Sequence, residues 1–338
     1  MTGGAGACLL GCAGPVLSEA ERRFFADARP LGFILFARNI QTPDQLRALT
    51  GALRATVGFD APILIDQEGG RVQRLGPPHW RQWDPALDRI TALGPEHAPR
   101  YMYLRARLIA ADLAALGIDT NCAPLADLAR PETHPILKNR CYGFTPEAVI
   151  AAARATAQGL LEGGVLPVLK HIPGHGRATV DSHLGLPRVT APRAVLEAED
   201  FAPFRALADL PMAMTAHIVF DAIDAQAPIT TSPAGIALIR QDLGFDGLLM
   251  SDDISMQALT GSIGARCVAS LAAGCDVVLH CNGDLSEMEE VASHSGALSV
   301  EAAARAARAL ALRQPPAPSD GAALTAELEA MLRETRDG

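Results

Sequence analysis

Aromatic side chains are scarce in this chain, only 4% of its 338 residues, so a core of any size must be built from aliphatic residues and alanine. Basic residues are few as well. Twenty-nine lysines and arginines face 38 acidic residues, for a formal charge of −9, and they form no stripe. A nucleic-acid partner is therefore not expected, because little is available to neutralise phosphate. No window approaches the 18 or so uninterrupted apolar residues that a membrane span needs. Cysteine is present but without pattern: seven residues, an odd number, scattered, with no C-x-x-C pair. That speaks against a disulfide framework and a zinc–thiolate site, and it suits a reducing cytoplasm. The run from Cys8 to Cys12 superficially resembles a lipoprotein cleavage site. No basic residue precedes it and the apolar stretch is short, so a buried first strand is expected there instead. With 49% apolar and 20% charged residues, the composition is that of an ordinary globular chain.

What the chain does contain is a series of short apolar runs, at 7–12, 33–36, 62–65, 118–123, 165–169, 212–215, 248–250 and 276–280. Each is too short for a helix, most are bounded by Gly or Pro, and none alternates, which suits strands buried on both faces. Helix starts lie between them. Ser18-Glu-Ala-Glu21 and Thr42-Pro-Asp-Gln45 have the form of capping boxes, and Thr145-Pro146 repeats the threonine–proline start. Eight strand–helix alternations without an internal linker predict an α/β fold of the single (β/α)8 barrel type, over residues 1–313. A doubly wound open sheet is the alternative, but no glycine-rich dinucleotide turn follows the first run. The Pro-rich piece 314–319 and a last helix at about 322–333 are expected to pack on the barrel as a tail, not as a separate domain.

In such a barrel, chemistry gathers where the strands end at their C-terminal face. The polar residues at or after those ends are Asp66, Asp127, Lys170, His171, His217, Asp252, Asp253 and Asn282. The segment 170–183, KHIPGHGRATVDSH, is the most informative. His171, His175 and His183 suggest a metal site, but i, i+4 spacing unites histidines on a helix, and Pro173, Gly174 and Gly176 forbid one. A mobile loop presenting a proton-transfer histidine is the other reading, with Asp181 two residues from His183 to fix its tautomer. Histidines that merely cap backbone groups remain a third. At 246–256, two adjacent carboxylates end the seventh run. One is a candidate nucleophile or base and the other an acceptor for backbone donors, unless both cap the next helix. At 63–74, Asp66, Glu68, Arg71 and Arg74 suit a hydroxyl-rich ligand, or an internal salt bridge. Isolated His217 reads best as a satisfied structural histidine.

At these residues the chain resembles the β-N-acetylglucosaminidases of glycoside hydrolase family 3, the bacterial cytoplasmic type of cell-wall recycling. The shared segments are GFILFARNI (32–40), IDQEGGRVQRL (65–75), KHIPGHG with DSH (170–183), MTAHIVF (214–220) and MSDDISM (250–256), in order over about residues 5 to 315. The resemblance implies hydrolysis of terminal β-linked N-acetylglucosamine with retention of configuration. It carries the nucleophile onto Asp252, the proton donor and acceptor onto His183 paired with Asp181, and sugar binding onto Asp66, Arg74, Arg140, Lys170 and His171. It implies no cofactor and no metal, a small-molecule substrate such as GlcNAc-1,6-anhydro-MurNAc muropeptides or chito-oligosaccharides, and a cytoplasmic enzyme; the sequence does not fix the oligomeric state, and a monomer is expected. Arg177 departs from the family pattern, where an acidic residue is expected, and the stretch 131–141 around Arg140 is looser than usual. A β-glucosidase or β-xylosidase of the same family, a non-catalytic sugar sensor, and a lyase using Lys170 as a Schiff base are the competing readings.

Overall fold

Each of the eight apolar runs becomes a strand in the computed structural model, which describes residues 4–179 and 185–337. We number them β1 (Gly6–Leu10), β2 (Pro30–Leu35), β3 (Ile63–Ile65), β4 (Thr120–Asn121), β5 (Leu166–Ile172), β6 (Met212–Thr215), β7 (Leu248–Asp253) and β8 (Val277–His280). Neighbours in the chain pair in parallel, and β8 closes onto β1 through Cys8↔Val278 and Leu10↔His280. The expected closed α/β barrel is present. Its strands lack alternation because both faces are covered. Leu9, Ile34, Leu64, Cys122, Val168, Met212, Met250 and Leu279 fill the interior, and the opposite faces pack against the helices. No aromatic residue belongs to the fully buried interior set, which agrees with their scarcity.

Local signals set the helix starts. Ser18 Oγ accepts from Glu21 N–H at 3.1 Å while the Glu21 carboxylate accepts from Ser18 N–H at 2.9 Å, a complete capping box. At Thr42 the side chain caps Gln45 N–H at 3.2 Å, but Gln45 Oε1 reaches one residue further, to Gln41 N–H at 2.8 Å. Thr145 caps the helix Pro146–Glu162. The C-terminal helix Gly321–Asp337 lies against Ala98–Ala114: Leu328 is buried, and Arg100 forks onto Glu327 at 2.6 and 2.7 Å. A small two-stranded ribbon, Arg188–Val189 with Val219–Phe220, stands outside the barrel sheet and was not foreseen. No helix among the described residues is long and apolar enough to cross a membrane.

Candidate active site

Two strands run further than their apolar runs. β5 continues through Lys170 and His171, and β7 through Asp252 and Asp253, because their backbones stay in the ladder: Ile172 pairs with Thr215 and Asp253 with Leu279. This carries polar side chains to the barrel mouth, where Asp66, Arg74, Arg140, Lys170, His171 and Asp252 line one pocket.

Charge on one side of the pocket is tightly paired. Lys170 Nζ lies 2.8 Å from Asp66 Oδ1 and 2.7 Å from Glu68 Oε1. Arg74 Nη2 donates to Asp66 Oδ2 at 3.1 Å, and Arg140 forks onto Glu68 at 2.9 and 2.8 Å. Burial pushes both carboxyls up, but Lys170 and Arg74 outweigh it at Asp66, and Arg140 and Lys170 at Glu68, so both lie below the usual range. Burial draws Lys170 down and the two carboxylates more than restore it, leaving a firmly protonated ammonium. A Schiff base needs the free amine, so the lyase reading loses its nucleophile. Three cations against two carboxylates leave one net positive charge facing the ligand space.

Asp127, fully buried behind the wall, accepts from His175 N–H at 2.7 Å and His171 N–H at 3.3 Å, while its other oxygen lies 2.7 Å from His171 Nδ1. The spacing argument that His171 and His175 meet only on a helix does not hold. The chain turns at Gly174 (φ +141°), where a Cβ would sit 3.0 Å from the Asp200 carbonyl, and brings the two rings within 5.6 Å. Burial and the neighbouring His171 hold His175 down, at about 4, and its buried Nδ1 has no hydrogen-bond partner among the described residues. No group of three or more metal-ligating side chains occurs among the described residues.

The adjacent aspartates differ sharply. Asp253 is occupied by the backbone: Oδ1 accepts from Ser255 N–H at 3.0 Å and Cys281 N–H at 3.2 Å, and Oδ2 from Ser255 Oγ at 2.7 Å. Among the described residues, Asp252 accepts one bond, from Asp253 N–H at 2.8 Å. Burial raises its carboxyl, but the imidazoles of His217 and His171 outweigh this and keep it below the ordinary range, ionised at neutral pH. His217 is fully buried with both nitrogens engaged, Nδ1 with Thr230 Oγ1 at 2.7 Å and Nε2 with the Asp253 carbonyl at 3.0 Å. A carbonyl only accepts, so Nε2 carries a hydrogen.

The stretch after β5 is anchored from two sides. Arg177, where an acidic residue was expected, donates to Asp200 Oδ2 and Glu199 Oε2, each at 2.6 Å, and Arg130 reaches the same two acids. Thr133 Oγ1 donates to the Gly176 carbonyl at 2.6 Å, and Gly176 is so close to Leu128 that a Cβ would fall 1.9 Å from its carbonyl oxygen. Asp181 and His183 lie outside the described residues. Glu68 stood in the segment 63–74 as one of four ligand or salt-bridge candidates and Asp127 among the polar strand ends, yet neither was named as a site residue. Arg140, delivered by the short helix Pro135–Lys138 despite the loose pattern around it, needed a counterion, and that was the signal for Glu68.

Residues 16–311 match the glycosyl hydrolase family 3 N terminal domain. A β-hexosaminidase from Alkalilimnicola ehrlichii is 41% identical over 283 residues, covering 82% of this chain and 81% of that protein. The structure of NagZ from Neisseria gonorrhoeae in complex with N-trifluoroacetyl-D-glucosamine superimposes with a TM-score of 0.84 at 31% identity, covering 98% of this chain and 97% of that one. A family 3 β-N-acetylglucosaminidase from Paenibacillus sp. str. FPU-7 gives 0.82 at 31% identity over 92% of this chain, which spans 61% of that longer one. The pocket at the ends of β3, β5 and β7 thus sits in a chain that belongs to glycosyl hydrolase family 3, among its β-hexosaminidases.

Proposed function

We propose that the chain is a retaining, exo-acting β-N-acetylglucosaminidase that releases terminal β-linked GlcNAc from muropeptides ending in 1,6-anhydro-MurNAc, by double displacement. The observation that carries the reading is the division of labour at the end of β7: Asp253 is saturated by backbone and hydroxyl donors, while Asp252 lines the pocket as an ionised carboxylate opposite a net positive cluster. Retaining hydrolysis needs a nucleophile below the anomeric carbon and a proton donor at the leaving oxygen. Asp252 takes the first role. Asp66, Arg74, Arg140, Lys170 and His171 hold the sugar through its hydroxyls. Bidentate and charge-assisted hydrogen bonds suit that task.

His183, oriented by Asp181, takes the second role, giving a proton to the departing oxygen and then taking one from water. An imidazole with a reference pKa of about 6.5 can do both near neutrality. His175 is a poor substitute, since a ring held at about 4 has no proton to give at neutral pH. No metal enters these steps, so activity is expected to survive chelation. Restoration by zinc after a chelator abolishes turnover would favour the histidine metal reading. The test of the mechanism is the first-formed anomer by NMR, expected to be β, together with trapping by a fluorinated N-acetylglucosaminide. The label is expected on Asp252, and a label on Asp253 or an α product overturns the assignment. Chromogenic β-N-acetylglucosaminide is expected to be cleaved in strong preference to the glucoside.

A further inference from the structure

Asp127 is a buried carboxylate that the proposed steps do not use. Residues 125–127 run beside the end of β5: Leu125 bridges to Lys170, and Ala126 N–H donates to the Lys170 carbonyl at 2.8 Å. From there one Asp127 oxygen takes the backbone amides of His171 and His175, and the other faces His171 Nδ1 at 2.7 Å. Burial raises this carboxyl, and His171 and the amides outweigh burial, so it is ionised. An ionised carboxylate only accepts, so the hydrogen between the two groups belongs to the ring. At a pH where the ring is neutral, Nε2 on its opposite edge then carries no hydrogen, and the ring lines the pocket.

We propose that Asp127 is a positioning residue for the known reaction: it fixes His171 as the Nδ1–H tautomer and so presents an unprotonated Nε2 that accepts a hydrogen bond from a sugar hydroxyl. The proposal rests on His171 being a sugar contact, as above. Its competitor is a purely structural Asp127 that only ties two backbone amides together. Asn separates the two. In Asp127→Asn the side-chain oxygen can still take both amides, but the amide nitrogen can only donate. It forces His171 Nδ1 to accept and moves the hydrogen to Nε2, which then offers a donor where the sugar needs an acceptor.

The experiment is a long-range ¹⁵N–¹H correlation spectrum of the ligand-free protein at a pH where the ring is neutral, combined with steady-state kinetics on an aryl β-N-acetylglucosaminide. Wild type is expected to show His171 as Nδ1–H, and Asp127→Asn as Nε2–H. The variant is expected to lose about 10- to 100-fold in kcat/KM, mostly through KM, as when carboxylates behind metal-binding imidazoles are removed. In a His171→Gln background the same change is expected to cost less than about twofold, because the ring it positions is gone. An Nε2–H wild type overturns the proposal, even if Asp127→Asn fails to fold. So does a variant with undiminished kcat/KM, or an equal loss with and without His171. The spectrum needs no turnover, so a label absent from Asp252 leaves it standing, and a wrong tautomer leaves the double displacement standing.

Discussion

Lys170 is the residue on which the pocket's charge balance turns, because its ammonium is shared by Asp66 and Glu68 and is almost wholly buried. Removing one partner of a buried ion pair leaves uncompensated charge and typically costs about 3–5 kcal/mol. Lys170→Met is therefore expected to lower the urea midpoint by a corresponding amount as well as abolish hydrolysis, and an unchanged midpoint would show that Arg74 and Arg140 suffice for the two carboxylates. The Asp252 and Asp253 variants should split the other way. Asp252→Asn is expected to lose several kcal/mol of transition-state stabilisation with little change in melting temperature. Asp253→Ala strips three donors of their acceptor and is expected to destabilise the fold by about 1–3 kcal/mol or more. The sequence brought Asp66, Arg74, Arg140, Lys170, His171 and Asp252 into view because each follows a recognisable run or motif, and all six share the pocket. The roles of Glu68 and Asp127 were not legible, since they are defined by partners 72 and 44 residues away across neighbouring strands. Local spacing does not report such pairings. The proximity of His171 and His175 escaped for a related reason: a glycine turn after a strand can do what a helix does.

Strands were the elements most legible in the sequence, since a short continuous apolar run has few ways to bury both faces other than inside a parallel sheet covered on both sides. Their polar ends were less so, because the backbone ladder, not the side chain, decides where β5 and β7 stop. The connections carried the least signal. Nothing in Arg188–Val189 or Val219–Phe220 marks them as partners before the fold brings them together. The stretch after β5 is the connection whose stability can be measured. Asp200, nearly fully buried, is held by Arg177 at 2.6 Å and more distantly by Arg130 at 3.4 Å, so the unexpected arginine is its principal counterion. A double-mutant cycle of Arg177→Ala with Asp200→Asn is expected to give a coupling of about 0.5–3 kcal/mol in unfolding free energy. Arg130→Ala against Asp200→Asn should give the smaller coupling of the two, and the reverse order would move the anchor from Arg177 to Arg130.

The molecule as a whole buries most of its thiols, and this sets how it responds to alkali. All seven cysteines are free, six are buried and Cys281 is half-buried at the pocket wall. Burial pushes Cys8, Cys12, Cys267 and Cys275 up to about 12, and raises Cys122, Cys141 and Cys281 as well. An unfolded thiol ionises near pH 8.5. Below that pH both states hold their protons and stability is unaffected. Above it the unfolded chain releases protons that the native chain keeps, so stability falls as pH rises until the native thiols ionise in turn. Each buried thiol contributes at most about 1.4 kcal/mol per pH unit, so the six buried thiols acting together make the alkaline limb steep. On the acid side His175 and His217 are held below their ordinary value, chiefly by burial, so stability is lost as pH falls below about 6.5. The buried carboxyls of Asp66, Glu68 and Asp127 add to that loss below about pH 4. A plateau of stability between about pH 7 and 8.5 is expected, with a steep alkaline limb that unfolds the protein within about two units above it. Thermal melts under reducing conditions from pH 7 to 10.5 measure the limb. The Cys267→Ala/Cys275→Ala variant separates thiols from the lysines and tyrosines that titrate in the same range: it should be shallower by about two-sevenths of the thiol contribution, whatever its stability at pH 7. A slope that ignores the loss of both thiols would assign the alkaline limb to other groups.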